Sequence, residues 1–278
     1  MIRLVVNGDD FGMTASISQG IVRAYRDGIL TSCSILGNCE AFGTHVALLQ
    51  AAPGIGVGIH LALVGGRPVL PPSCIRSLVD KRGMFPQSWL SAVVQMSRMR
   101  QEEIIREFDT QILRALNHGL VLDHLDTHCH LGCLPRIRYA VGVLSKRYGL
   151  PALRCIQKPS LGQCLRRPRR AIAAAGLRAL DYFAYCQIPE NDVHSWGFIE
   201  FGHLDENTIV ALLTSLPPGN HEIICHPGDV EKAGHRNTGW HHDMRQVEVA
   251  ALTSPLVSAL IIRRQISLCR WSDLRAVV

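Results

Sequence analysis

Four short apolar runs in this chain each end on a carboxylate or an imidazole, and that pattern constrains the fold more than any other feature. Leu4-Val5-Val6 runs into Asn7-Gly8-Asp9-Asp10, and the run from Ile55 to Leu63 carries His60 near its end. Leu120 to Leu125 delivers Asp126-Thr127-His128-Cys129-His130, and Glu222 to Cys225 presents His226-Pro227-Gly228. Segments with helical spacing lie between them. Ile17, Ile21, Ala24 and Tyr25 share one face ahead of Gly28, and Thr44 to Ala52 reads as a short helix with Thr44 as its N-cap. Glu102 to Asn117 carries a stripe of Ile105, Phe108, Ile112 and Leu116 before Gly119. Further helices are expected over Arg169 to Leu180, from Asp205 to Leu216, and over Met244 to Leu252 and Leu256 to Arg264. Further strands are expected over Thr31 to Leu36, Ala152 to Ile156 and Ile266 to Cys269. Strands alternating with helices indicate a parallel sheet wrapped by helices. With 278 residues, no internal repeat and no dividing linker, the expectation is α/β: one domain over residues 1–278, folded as a (β/α) barrel-like unit.

In such a barrel the C-terminal strand ends converge on one face, where catalytic groups collect. Each piece alone has a plainer reading. Asp9-Asp10 could cap the next helix, His60 could be a satisfied core histidine, and His226 could be a turn residue. His128 and His130, two apart on a strand, would put both rings on one side without any metal. Four strands of one polarity aiming such groups at one place are hard to explain as packing. One carboxylate with two imidazoles makes a three-ligand set that leaves room for water and substrate, and imidazole favours zinc or another first-row ion over calcium. A second carboxylate can take a proton from metal-bound water, and a histidine across the site can protonate a leaving amine. Amide hydrolysis needs all of these parts.

The remaining composition excludes other classes. Ten cysteines at irregular spacings suggest free thiols in a reducing compartment rather than a disulfide framework. No apolar run reaches the length of a bilayer span, and Met1-Ile2-Arg3 leads directly into a strand, so a cytoplasmic protein without a signal peptide is expected. The net charge of +6 includes a dense run, Arg166-Arg167-Pro168-Arg169-Arg170, which reads either as a solvated face or as a patch for an anionic surface. No nucleic-acid reader motif accompanies it. The Gly- and Pro-rich stretch from Gly65 to Pro86 is long enough to suggest a functional insertion beside the site.

The segments Val6-Asn7-Gly8-Asp9-Asp10-Phe11-Gly12, Gly58-Ile59-His60-Leu61, His124-Leu125-Asp126-Thr127-His128-Cys129-His130 and Ile224-Cys225-His226-Pro227 resemble the YdjC-like (ChbG-like) carbohydrate deacetylase family. The resemblance covers essentially the whole chain and implies a YdjC-like, NodB-like deacetylase fold with one divalent metal ion, zinc or magnesium. Gly8, Gly66-Arg67-Pro68-Val69-Leu70-Pro71-Pro72 and Leu216-Pro217-Pro218-Gly219 look most like the hopanoid-biosynthesis-associated HpnK branch. That branch implies an N-acetylglucosaminyl group on a hopanoid lipid as substrate, with peripheral contact at the inner membrane. A homodimer is compatible with the family. Carried over by position, Asp10, His60 and His128 would hold the metal, Asp9 would be the general base and His226 the general acid. Arg154 would orient a carboxylate, Asp126 would brace a ligand imidazole, and His130 would touch substrate or support a ligand. Arg245 and Glu248 match a late Arg-x-x-Glu pattern expected to be structural. Gly132 stands where the family often has a further histidine, flanked by the unusual Cys129 and Cys133, which points to altered substrate contacts. A soluble chitooligosaccharide is the alternative substrate. A metal phosphoesterase and a sugar-binding protein without catalysis are the competing classes, separated by acetate release, phosphate release, or binding with neither.

Overall fold

Strand β1 (Ile2–Phe11) is buried along nearly its whole length on both faces, as the central strand of a parallel sheet must be. In this computed structural model, which describes residues 1–151, 154–156, 168, 169, 172, 175, 176, 193–229 and 242–274, seven further strands join it in parallel. They are β2 (Ser32–Leu36), β3 (Gly56–Leu61), β4 (His124–Thr127), β5 (Cys155–Ile156), β6 (Val193–Trp196), β7 (Gly219–Cys225) and β8 (Ile266–Leu268). The order across the curled sheet is β4-β3-β2-β1-β7-β6-β5, with β8 paired to the first residues of β1 and β2 to its last ones. This is the expected α/β, barrel-like architecture. Leu4, Val6, Ile35, Ile59 and Leu61 are fully buried in its core, each contributing about 1.5–3 kcal/mol relative to exposure.

The helices follow from their sequences, with instructive exceptions. Helix α1 (Ala15–Asp27) starts at Thr14, whose side chain accepts from the Ile17 N–H, and it buries Ile17, Ile21 and Ala24. Helix α2 (Phe42–Gln50) begins earlier than expected: Ala41, in a left-handed conformation, is its N-cap, so Thr44 lies inside the helix. A short α3 (Trp89–Gln95) precedes α4 (Gln101–Asn117). On α4, Phe108 and Ile112 are buried as expected, but Leu116 is exposed and Ile105 only half-buried. The buried face instead includes Glu103, Glu107 and Gln111. Glu107 accepts the Val69 and Leu70 N–H groups, Glu103 accepts the N–H and the hydroxyl of Ser77, and Gln111 bonds both the N–H and the carbonyl of Ala62. Polar side chains thus enter the interior because they satisfy the backbone of Ala62 and of the irregular 65–86 segment that follows it. That segment is closed at its ends, where Gly65 donates to Pro86 and Phe85 donates to Gly66.

Beyond β4, helix α5 (Pro135–Tyr148) ends on Gly149 in the left-handed conformation. Helix α6 (Glu206–Ser215) is capped by Asp205, as its sequence predicts. Helices α7 (His242–Leu252) and α8 (Pro255–Arg263) pack back toward α1 and α6. The strand expected over Leu120 to Leu125 is displaced: β4 covers His124–Thr127. The arginine run at 166–170 and the helix expected over Arg169 to Leu180 fall largely outside the described residues. Among the described residues no single helix is long and apolar enough to cross a membrane, and Cys33, Cys39, Cys74, Cys129, Cys133, Cys225 and Cys269 are free thiols.

Candidate metal centre and active site

Asp9 and Asp10 lie within β1, not after it, and consecutive strand residues normally point to opposite faces. A break in the β1–β2 register between Gly8 and Phe11 removes that constraint, and Asp10 takes a left-handed backbone, φ 68°. A non-glycine residue there is strained by about 1–3 kcal/mol. The bulge brings both carboxylates to one imidazole: His60 Nε2 lies 4.0 Å from Asp9 Oδ2 and 3.7 Å from Asp10 Oδ1. The third histidine arrives by a similar device. After β4 the chain enters a 3-10 turn in which Cys129 and His130 both have positive φ. His128 and His130 therefore do not form a strand pair, as the sequence suggested. His128 Nδ1 sits 3.0 Å from Asp10 Oδ1, while the His130 ring packs edge-on against Phe198.

The Asp10, His60 and His128 ligand atoms lie within 4.8 Å of one another. Donors about 2.1 Å from a tetrahedral zinc stand roughly 3.4 Å apart, and the measured 3.0 and 3.7 Å bracket that value. The His60 ring is oriented by Asp126, whose Oδ1 is 2.6 Å from Nδ1, leaving Nε2 directed at the aspartates. Burial pulls the His128 pKa down, but the bond to Asp10 outweighs it and raises the pKa well above the ordinary value. The site therefore favours positive charge at this position. A donor set of two imidazoles and a carboxylate fits a divalent first-row ion. Asp9, His60 and Asp126 make a second close group, but the Arg154 guanidinium already bonds both of its carboxylates.

Arg154 immediately precedes β5, which is shorter than the strand expected over Ala152 to Ile156. Its Nη1 and Nη2 each donate at 2.6 Å to Asp9, Nη2 reaches Asp126 Oδ2 at 2.7 Å, and Nε donates to Glu222 Oε1 at 3.0 Å. Burial raises the Asp9 pKa, yet Arg154 and then His60 outweigh burial and hold it below the ordinary value. Asp126 is held far below by the same balance. Asp10 is likewise driven well down, with Arg245 as the largest lowering partner. Asp9 Oδ1 also accepts from Asn7 Nδ2 at 2.8 Å. Of the roughly four lone-pair directions of a carboxylate, the one that no bond among the described residues fills on Asp9 is on Oδ2, the oxygen nearest His60 and His226.

His226 follows β7, with Nε2 3.8 Å from Asp9 Oδ2 and its ring against Phe201. Burial lowers its pKa to about 4, although Asp9 and Asp10 pull upward, so it rests neutral and can relay a proton. His130 is lowered to about 3, by burial first and Arg154 second. All eight side chains expected from the sequence therefore lie in or beside one cluster.

Sequence reasoning missed several supporting groups. Ser34 Oγ donates to Asp126 Oδ2 at 2.8 Å and accepts from Asn7 at 2.9 Å. Glu222, fully buried, accepts from Arg154 and from Ser195 Oγ. A charged residue inside the apolar run Glu222-Ile223-Ile224-Cys225 was the available signal. Arg245 and Glu248, expected to be merely structural, both reach the site: Arg245 Nη2 bonds Asp10 Oδ2 at 2.6 Å, and Glu248 accepts the His226 N–H.

The chain is 31% identical over 272 residues to a carbohydrate deacetylase of Thermoanaerobacter pseudethanolicus, covering 98% of this chain and 99% of that one. It is 28% identical over 268 residues to a chitooligosaccharide deacetylase of Salmonella schwarzengrund, covering 94% of each. A crystal structure from Enterococcus faecalis V583, described as a candidate cellobiose-phosphate cleavage protein, superposes with a TM-score of 0.80 at 25% identity, covering 99% of both chains. The family described as YdjC-like protein matches residues 3–263, and the chain belongs to that family.

Proposed function

We propose that this protein hydrolyses the N-acetyl group of an amino sugar, using a divalent metal ion held by Asp10, His60 and His128. The observation that carries the reading is the single cluster in which this ligand set faces Asp9 on one side and His226 on the other. A bound zinc or similar ion would polarise the acetamide carbonyl and acidify a coordinated water. The chain's own residues supply the rest. Asp9, held ionised by Arg154, has an oxygen directed into the site and accepts the proton of the attacking water. Its low pKa makes it a weak base, so the proton passes on readily. His226 Nε2, 3.8 Å from that oxygen, delivers a proton to the departing sugar nitrogen. The amide C–N bond then breaks to give free amine and acetate. Asp126 keeps the His60 ring in register, and His130 with Phe198 forms a wall beside the reacting groups.

The names of the Thermoanaerobacter and Salmonella relatives support carbohydrate deacetylation. The HpnK-like segments support N-acetylglucosaminyl hopanoid as substrate, with the enzyme working from the cytoplasm at the inner membrane surface. A soluble chitooligosaccharide is the second reading, favoured by the Salmonella relative. The test is acetate release from N-acetylglucosaminyl hopanoid and from diacetylchitobiose, with zinc or magnesium, by wild type and His128→Ala. Release from the hopanoid alone, abolished by the substitution, supports the full reading. Release from the disaccharide alone transfers the activity to soluble sugars. No release from either by folded, metal-loaded protein overturns the proposal.

A further inference from the structure

We infer that Arg245 and Glu248, three residues apart on α7, are positioning residues that lock the metal-side carboxylate Asp10 and the imidazole His226 into one unit. The inference rests on the ligand and proton-donor roles proposed above for those two residues. Both positioning side chains are buried and directed into the site. Arg245 Nη2 donates to Asp10 Oδ2 at 2.6 Å, which leaves Oδ1 as the oxygen facing His60 and His128. Asp10 is thereby presented through one oxygen, in the backbone conformation that its bulge imposes. The same guanidinium donates through Nη1 to the His226 carbonyl at 3.2 Å, and Glu248 accepts the His226 N–H. One helical turn therefore grips His226 by both its backbone polar groups and Asp10 by one carboxylate oxygen. The spacing suits this, because residues three apart on a helix project side by side.

The grip is backed from the far side. Gly228 donates to the Arg245 carbonyl at 3.2 Å, and Asp229 donates to the Ser16 carbonyl at 3.0 Å. Gly20 of α1 faces the Gly228 backbone so closely that a Cβ there would come within 2.4 Å of Gly228 Cα. The segment carrying His226 is thus pressed between α1 and α7. The two positioning residues have separable tasks: Arg245 bonds a ligand, whereas Glu248 bonds the segment bearing the proton donor.

That separation gives the test. Zinc is titrated calorimetrically into chelator-stripped Arg245→Met, Arg245→Lys, Glu248→Leu and Glu248→Gln, with circular dichroism as the folding control. Acetate kinetics follow on the metal-loaded proteins. Arg245→Met is expected to weaken zinc binding about 10- to 100-fold, as loss of a bond to a ligating carboxylate does, and Arg245→Lys to recover part of it. Glu248→Leu is expected to bind zinc within about twofold of wild type while kcat falls roughly tenfold at unchanged KM, and Glu248→Gln, which keeps an acceptor for the N–H, to restore kcat. Wild-type zinc affinity in folded Arg245→Met or, should that variant not fold, in Arg245→Lys, overturns the assignment of Arg245. A Glu248→Gln variant as impaired as Glu248→Leu overturns that of Glu248. If wild type binds zinc yet releases no acetate, the deacetylase reading fails, and the zinc titrations still decide the assignment of Arg245.

Discussion

Replacing Arg154 by methionine keeps most of the side-chain volume and removes the one guanidinium that Asp9, Asp126 and Glu222 share. All four side chains are at most 5% exposed, so the carboxylates cannot turn to solvent. Breaking a buried ion pair by deleting one partner costs about 3–5 kcal/mol. For a chain of this size each kcal/mol moves Tm by roughly 2–4 °C, so the expected fall is about 6–20 °C. The pH dependence identifies the cause. In wild type the Asp9 and Asp126 pKa values lie below their unfolded values, so these groups contribute stability above the unfolded pKa and lose it as pH falls. Without Arg154, burial is the dominant influence and raises both, so protonation on acidification relieves the variant. The Tm gap between wild type and Arg154→Met should therefore narrow from about pH 8 to about pH 5, in melts followed by circular dichroism with chelator present. A gap below about 2 °C, or one that widens on acidification, refutes the reasoning.

Gly20→Ala forces its Cβ onto the Gly228 backbone, so both stability and kcat should fall, the latter through displaced His226; unchanged acetate kinetics would count against the close packing. Glu107→Ala leaves the Val69 and Leu70 N–H groups without their acceptor, costing about 1–3 kcal/mol, and limited proteolysis should then cut first within residues 65–86. His45 and His221 are held neutral, their pKa values lowered by burial, so they contribute stability above about pH 6.5 that is lost as pH falls below it. His221→Gln should flatten that part of a Tm-against-pH curve, and an unaltered slope would contradict the assignment. Asp126→Asn should weaken zinc binding about tenfold by loosening the His60 ring, and an unchanged calorimetric Kd would remove Asp126 from that role.

The parallel sheet and the gathering of Asp9, Asp10, His60, His128 and His226 were legible because parallel strands deliver their C-terminal residues to one side. The manner of delivery was not. Period-two reasoning places neighbouring aspartates on opposite faces, and only the β1 bulge with Asp10 in a left-handed conformation reconciles them. The same limit applies to His128 and His130, which a turn with two positive-φ residues separates. On α4 the apolar stripe misled at Leu116, because Glu103, Glu107 and Gln111 gain more by bonding the 62–77 backbone than they lose by leaving water. Arg245 was visible as a motif, but its partner lies 235 residues away, a distance no local pattern reports.

That separation also sets the order in which the protein can become competent. β1 leaves the ribosome ahead of the other described strands, yet two of its neighbours, β7 and β8, and the α7 residues that hold Asp10 and His226 follow more than 200 residues later. Contacts between the two ends of a chain must bear the full loop-closure entropy before they stabilise anything, and they form slowly. A nascent chain lacking its last third therefore has the aspartates, His60, His128 and Arg154 but neither the Arg245 guanidinium nor strand β7. The carboxylate and imidazole cluster is therefore completed only after α7 has been made.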